Sequence, residues 1–257
     1  IPSSTKTSEA AQRRWERTLK PGGQTQWFPT DNLLLRHALD EKQGLTITDK
    51  ILRIDPSKPE IEQQPKQDEK PVVTEFKDGT PRYVPAPTGQ GAAFDGKLYF
   101  NAGKTADFNY RDRLKDYKDS FAISAWFYPE AEQSGAIVTH MQDTAGEQDN
   151  NLPKNHGYGL FFNNGKLHFN MVFRWGEDAL RAETENPLPL KQWQHVAVVF
   201  DGTEAWEKRL RLYVNGAEQQ LKFTQRNFFL LFGGTKNTLK LGAGGGPQFR
   251  FKGALSE

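Results

Sequence analysis

Residues 192–218 read QWQHVAVVFDGTEAWEKRLRLYVNGAE, and this stretch decides the fold class. Val196, Val198 and Phe200 alternate with His195, Ala197 and Val199, and Leu210, Leu212 and Val214 repeat the pattern before Asn215-Gly216. A period of two gives a strand one dry and one wet face, and Asn-Gly supplies the positive φ values of a tight turn. The spacing predicts adjacent antiparallel strands. Asn163-Asn164-Gly165, between GYGLFF and KLHFNMVF, predicts a second hairpin of the same kind.

Working outward, further strands are expected over 32–39, 45–54, 93–100, 121–128, 136–141, 158–162, 166–175, 180–184, 238–241 and 249–255. Residues 8–19 predict a short amphipathic helix with Ala11, Trp15 and Leu19 on one face, stopped by Pro21-Gly22-Gly23. Residues 56–71 carry four prolines among charges and predict an exposed excursion. Many short strands with turns between them argue for an all-β antiparallel sandwich of the jelly-roll type rather than βαβ units. The expected organisation is a helix and connector over 1–30, then one domain over 31–257.

Composition narrows the function classes. The 34 Lys+Arg and 32 Asp+Glu of these 257 residues leave a net charge of +2, too balanced to draw nucleic acid or acidic lipid by charge. The absence of Cys excludes disulfides, thiolate catalysis and Cys-ligated metal sites. No apolar run reaches the ~18 residues of a membrane span.

Several segments, in order, carry a family resemblance: Leu39-Asp40-Glu41, Ala93-Phe94-Asp95-Gly96, Phe121 to Trp126, Gly157-Tyr158-Gly159-Leu160, the Trp193-to-Gly216 hairpin and Phe251-Lys252-Gly253. Together they resemble laminin-G-like, concanavalin A-like lectin/glucanase domains. Arg174 to Arg181, Glu183 to Gln192 and Gly242 to Lys252 are similar to the lectin-like insert of large planctomycete-type bacterial surface proteins that also carry a cytochrome c-like region. The resemblance implies a jelly-roll module of a longer, exported (periplasmic or cell-surface) polypeptide, whose partners are a glycan and its neighbouring domains. It also implies a candidate calcium site that joins an acid near the first strand, Asp40 or Glu41, to the closing segment. There Ser256 stands where the family has Asp, leaving Glu257 as the acid. Such domains close with one more strand after this segment, so the chain is expected to stop short of it.

Sugar binding calls for aromatic faces and planar polar groups. In KLHFNMVFRW, His168, Asn170, Val172 and Arg174 share one side and Phe169, Met171, Phe173 and Trp175 the other. The expected ligand surface is His168, Asn170, Arg174 and Trp175, with Trp126, Tyr128 and His140 from neighbouring strands. Gln142 and Asp143 would add rim support from a mobile loop over 142–156. No E-x-D-x-E pattern of the glucanases occurs. Glu183 and Glu185 are the nearest carboxylate pair, sharing a strand face at about 7 Å. The expectation is therefore no catalysis. Asp143, Glu147 and Asp149 lack metal-loop spacing, and His195 is expected to be structural. Gly242 to Gly246 is not a phosphate loop. Three readings follow: a non-catalytic carbohydrate-binding module, a domain-docking module with no ligand, and a degenerate glycoside hydrolase.

Overall fold

Strands β15 (Gln194–Phe200) and β16 (Leu210–Val214) pair antiparallel, Val196 opposite Val214 and Phe200 opposite Leu210. Their even-numbered residues are buried, and the odd-numbered ones keep partial exposure. These features come from a computed structural model. It describes residues 35–37, 39, 46–47, 74–104, 106, 110–111, 117–118, 120–144, 146–149, 152–204, 208–227 and 237–256.

Around that pair stands a seven-stranded sheet: β17 (Ala217–Glu218), β16, β15, β8 (Phe121–Pro129), β20 (Lys252–Ser256), β4 (Gly89–Asp95) and β3 (Arg82–Ala86). Facing it is a nine-stranded sheet. Its order is β1 (Thr46–Ile47), β2 (Thr74–Lys77), β5 (Tyr99–Gly103), β19 (Leu239–Leu241), β9 (Gly135–Met141), β12 (Gly157–Asn163), β13 (Lys166–Arg174), β14 (Asp178–Thr184) and β18 (Leu221–Arg226). Two short ribbons complete the described strands, β6 (Tyr110–Arg111) with β7 (Tyr117–Lys118), and β10 (Gln148–Asp149) with β11 (Leu152–Pro153). Every pairing is antiparallel, as the alternation requires.

The inner faces of the two sheets meet in one apolar core. Phe94, Phe127, Val196, Val198, Phe200 and Leu255 come from the smaller sheet, and Phe100, Leu160, Phe162, Phe169 and Met171 from the larger. Rings cross the gap: Phe127 to Phe162 at 5.7 Å, Phe76 to Phe94 at 6.3 Å and Phe121 to Phe169 at 6.4 Å. Each such side chain gives about 1.5–3 kcal/mol on full burial. Both Asn-Gly pairs sit in turns with positive φ, Asn164 and Gly165 at 52° and 71°, Asn215 and Gly216 at 49° and 79°. That is the type I′ hairpin geometry.

Some expectations need correction. The run 93–100 is two strands in different sheets, because Asp95 accepts the amides of Lys97 and Leu98 and turns the chain between β4 and β5. The described part of 32–39 is not in a strand. The partners of the closing strand β20 are β4 and β8. Strands β2, β3 and β18 are absent from the expected set, as are the two-residue strands β6, β7, β10, β11 and β17. The helix over 8–19, the excursion over 56–71 and the candidate calcium ligands Asp40, Glu41 and Glu257 lie outside the described residues.

Candidate functional site

The two sheets differ on their outer faces. On the larger one the outward residues Thr139, Phe161, His168, Asn170 and Arg181 of the central strands are buried. A roof covers them. Part of it is the 242–250 segment, where the Ala243 carbonyl accepts a 2.6 Å bond from Thr139 Oγ1 and Phe249 packs edge-on against Phe161 at 5.9 Å. A Cβ on Gly244 would collide with Thr139, so the glycine run lets backbone lie directly on β9. The rest is the β10–β11 ribbon, whose Leu152 joins Ala136, Met141, Phe161 and Phe249 in a second small core.

Arg181 ties this ribbon down. Its Nε donates to Asn170 Oδ1 at 3.0 Å, Nη1 to the carbonyl and carboxylate of Asp149 at 3.0 and 3.1 Å, and Nη2 to the Pro153 carbonyl at 2.7 Å. Trp175 lies against the guanidinium, 4.0 Å from ring centroid to Cζ. Burial pushes the Arg181 pKa down to about 10, with the Asp149 carboxylate pulling the other way. It remains a cation at neutral pH. Sequence reading misses this residue because Asn170 and Arg181 meet only across the β13–β14 register.

His168 sits nearby on the same face. Its Nε2 lies 3.0 Å from the Asn163 carbonyl oxygen, which only accepts, so Nε2 carries the proton. Nδ1 is then a lone pair 3.6 Å from Glu183 Oε2, too long and wrongly protonated for a hydrogen bond, while Lys166 Nζ holds Glu183 Oε1 at 3.2 Å. Burial lowers the His168 pKa below its ordinary 6.5, against the raising influence of the Asn163 carbonyl and of Glu183. The folded protein thus keeps His168 neutral while the unfolded chain takes up a proton near pH 6.5. Stability from this group is full above that pH and falls as the pH drops below it. In urea melts between about pH 7 and pH 5, His168→Gln should flatten part of the wild-type loss. Parallel profiles would remove His168 from the account.

The other expected site residues disperse. Arg174 is exposed and pairs with Glu177 at 3.7 Å. Trp175 is half-buried, with one face occupied by Arg181, so it is neither a free stacking ring nor core. His140 points into the core and stacks on Tyr158 at 5.5 Å. Gln142 is exposed and uses its carbonyl to hold Gly245 N at 2.7 Å. Asp143 binds Arg250 at 2.6 Å, and Glu147 lies 3.7 Å from Lys154. With Asp149 on Arg181, each acid of that loop has its own cation, and no metal-ligating group of three forms among the described residues. The expected open concave surface is therefore a covered one: His168 and Asn170 share a face, but the β10–β11 ribbon lies across it as a roof.

The smaller sheet keeps its outer face partly exposed. Trp126 and Tyr128 alternate with the buried Ala125 and Phe127 along β8, which places them outside, on the opposite sheet from His168. Trp126 meets His195 at 5.2 Å and Tyr128 meets Trp193 at 5.8 Å. Trp193 Nε1 donates to the Pro85 carbonyl at 3.1 Å, which fixes the ring over Gly91. Beside these rings run the small outward residues Ala93, Ala254 and Ser256. The result is an aromatic platform of four half-buried rings, counting His195, over a strip of small side chains. Its sequence signal is legible, since Trp193/His195 and Trp126/Tyr128 are both spaced by two.

Comparisons with known proteins bear on the fold. The sequence profile of the concanavalin A-like lectin/glucanases superfamily matches residues 101–257, more than half of the chain. No curated protein matches significantly. Among solved structures, domain 4 of AbnA, a GH43 extracellular arabinanase from Geobacillus stearothermophilus in complex with arabinotriose, is 18% identical over 72% of this chain and 79% of that one, with a TM-score of 0.44. A native heptameric SAP-like pentraxin from Limulus polyphemus is 17% identical over 64% and 72%, with a TM-score of 0.38. Domains LG4-5 of the mouse laminin alpha1 chain are 16% identical over 70% and 42%, with a TM-score of 0.39. No described helix is long and apolar enough to cross a membrane.

Proposed function

The chain belongs to the concanavalin A-like lectin/glucanases superfamily, and from that premise we propose that it is a non-catalytic carbohydrate-binding module of a larger exported protein. The observation that carries the reading is the platform of Trp126, Tyr128, Trp193 and His195. Aromatic faces stack on the C–H surfaces of pyranose rings. Polar groups at its edge, Arg82 and Lys252 among them, supply donors to sugar hydroxyls. Lack of catalysis is supported by the state of the nearest carboxylate pair. Glu183 is engaged by Lys166 and lies beside His168, and Glu185 is exposed beyond the end of β14. The two are not set as an acid facing a nucleophile across a groove.

A glycan array probed with the whole chain, with and without calcium, is expected to return polysaccharide binding. On the best ligand, Trp126→Ala or Trp193→Ala should weaken affinity by roughly 0.5–1.5 kcal/mol beyond the lost area. Wild-type affinity in both folded variants would move the site elsewhere. An array with no binder, together with capture of neighbouring domains of the same polypeptide through this face, would favour a docking module instead.

A further inference from the structure

We propose that the roofed face of the nine-stranded sheet is a second, covered binding site for glycans bearing carboxylates, such as uronic acid chains, in which Asp149 of the ribbon holds the place of the ligand carboxylate on Arg181. The site differs in position and chemistry from the aromatic platform, and the proposal does not depend on that platform binding sugar.

The floor is chemically unlike a face built for permanent cover. One half is apolar, where Phe249 and Leu152 pack on Phe161 and Met141. The other half is His168, Asn170, Arg181 and Glu183, four polar side chains on paired strands. Permanent cover by a ribbon is obtained more readily with apolar residues, because a buried charge costs several kcal/mol unless fully paired.

The hydrogen-bond inventory points to the missing partner. Arg181 is 2% exposed, and Asn170, which holds its Nε, is wholly buried. Asn170 Nδ2 meets no acceptor among the described residues. The floor therefore holds one buried donor, Asn170 Nδ2, and one buried lone pair, His168 Nδ1, that the ribbon leaves unpaired. A carboxylate-bearing sugar would bring oxygens for both the guanidinium and this amide.

The charge sets the class of ligand. Arg181 stays charged, so whatever displaces Asp149 must itself be anionic, or a buried cation is stranded. A neutral sugar fails this requirement. A carboxylate meets it in kind, and the guanidinium fork matches a carboxylate plane. The occupant is also replaceable: the Asp149 side chain is 38% exposed against 2% for Arg181, so one side of the pair already faces water. Trp175, half-exposed, lies on the guanidinium at the edge of this pair.

The test titrates oligogalacturonate and its methyl ester, the same sugar without the charge, into the whole chain. Asp149→Ala should bind the acid about tenfold tighter than wild type, the scale of a close charge pair freed for the ligand. The methyl ester should show no gain. Adding Arg181→Lys should remove the gain, because an ammonium lacks the fork. Asp149→Asn, which keeps the shape and drops the charge, is read in the same way and serves if the alanine variant does not fold. Equal affinity of wild type and the Asp149 variants for the acid, or a gain shared by the methyl ester, overturns the proposal. Trp126→Ala as background keeps the two sites apart: it weakens binding at the aromatic platform and leaves the Asp149 effect intact.

Discussion

Gly253→Ala is expected to destabilise the sandwich by at least about 3 kcal/mol, the order of backbone strain and overpacking combined. Gly253 lies in β20, between β4 and β8, opposite Phe94 and Pro129. Its φ of 149° lies where L side chains rarely go. A Cβ there would collide with the Tyr128 carbonyl oxygen and come within 3.1 Å of the Phe251 ring. The carbonyl belongs to a neighbouring strand and has nowhere to retreat, so β20 must pull away from β8 and give up ladder bonds. Gly216→Ala is the control, because it carries a positive φ of 79° and meets nothing within 4 Å. Urea unfolding should separate the two, with Gly216→Ala losing about 1 kcal/mol from strain alone. Equal losses would mean that the strands do not approach as closely as the geometry requires.

The neighbouring strands show what the sequence can and cannot reveal. Alternation in β8, β15 and β16 identifies a half-buried sheet, and both Asn-Gly turns carry their conformation in the residue types alone. Period two also predicts that His168 and Asn170 share a face, and they do. What it cannot say is whether that face is wet. Along β8 and β15 the outward positions stay partly exposed, and along β13 His168, Asn170 and Val172 are buried, though all three strands alternate. The difference lies in segments remote in sequence, the 242–250 glycine run and the β10–β11 ribbon, whose polar composition reads as solvated loop. Their reach over the sheet depends on close approach at Thr139 and on ion pairs such as Arg250 with Asp143. Trp126 illustrates the converse error. Suitability for sugar groups it with His168 in the sequence, yet local alternation carries no information about which sheet a strand joins.

The roof leads to the second large effect. Arg181→Met should cost about 2–4 kcal/mol, since it removes charge-assisted bonds and leaves buried acceptors without donors. Methionine keeps the unbranched stem and removes the guanidinium, with its bonds and its contact on Trp175. The Pro153 carbonyl and Asn170 Oδ1 lose the guanidinium at once, and Asp149 loses its bonds to Nη1. Two responses compete. If the ribbon stays down, those oxygens are buried unsatisfied and global stability bears the full loss. If it lifts, water satisfies them, the global loss shrinks, and the ribbon alone opens. The small cluster that Leu152 forms with Phe161 and Met141 is minor beside the inner core, so lifting is the less costly response. Hydrogen exchange reads the difference: the Lys154 amide, bonded to the Glu147 carbonyl at 2.9 Å, should lose protection before the amides of β15 do. Arg181→Lys should restore only part of it, because a single ammonium cannot span Asn170, Asp149 and Pro153 together. Unchanged protection at Lys154 in a folded Arg181→Met variant would show that apolar contact, rather than this guanidinium, holds the roof in place.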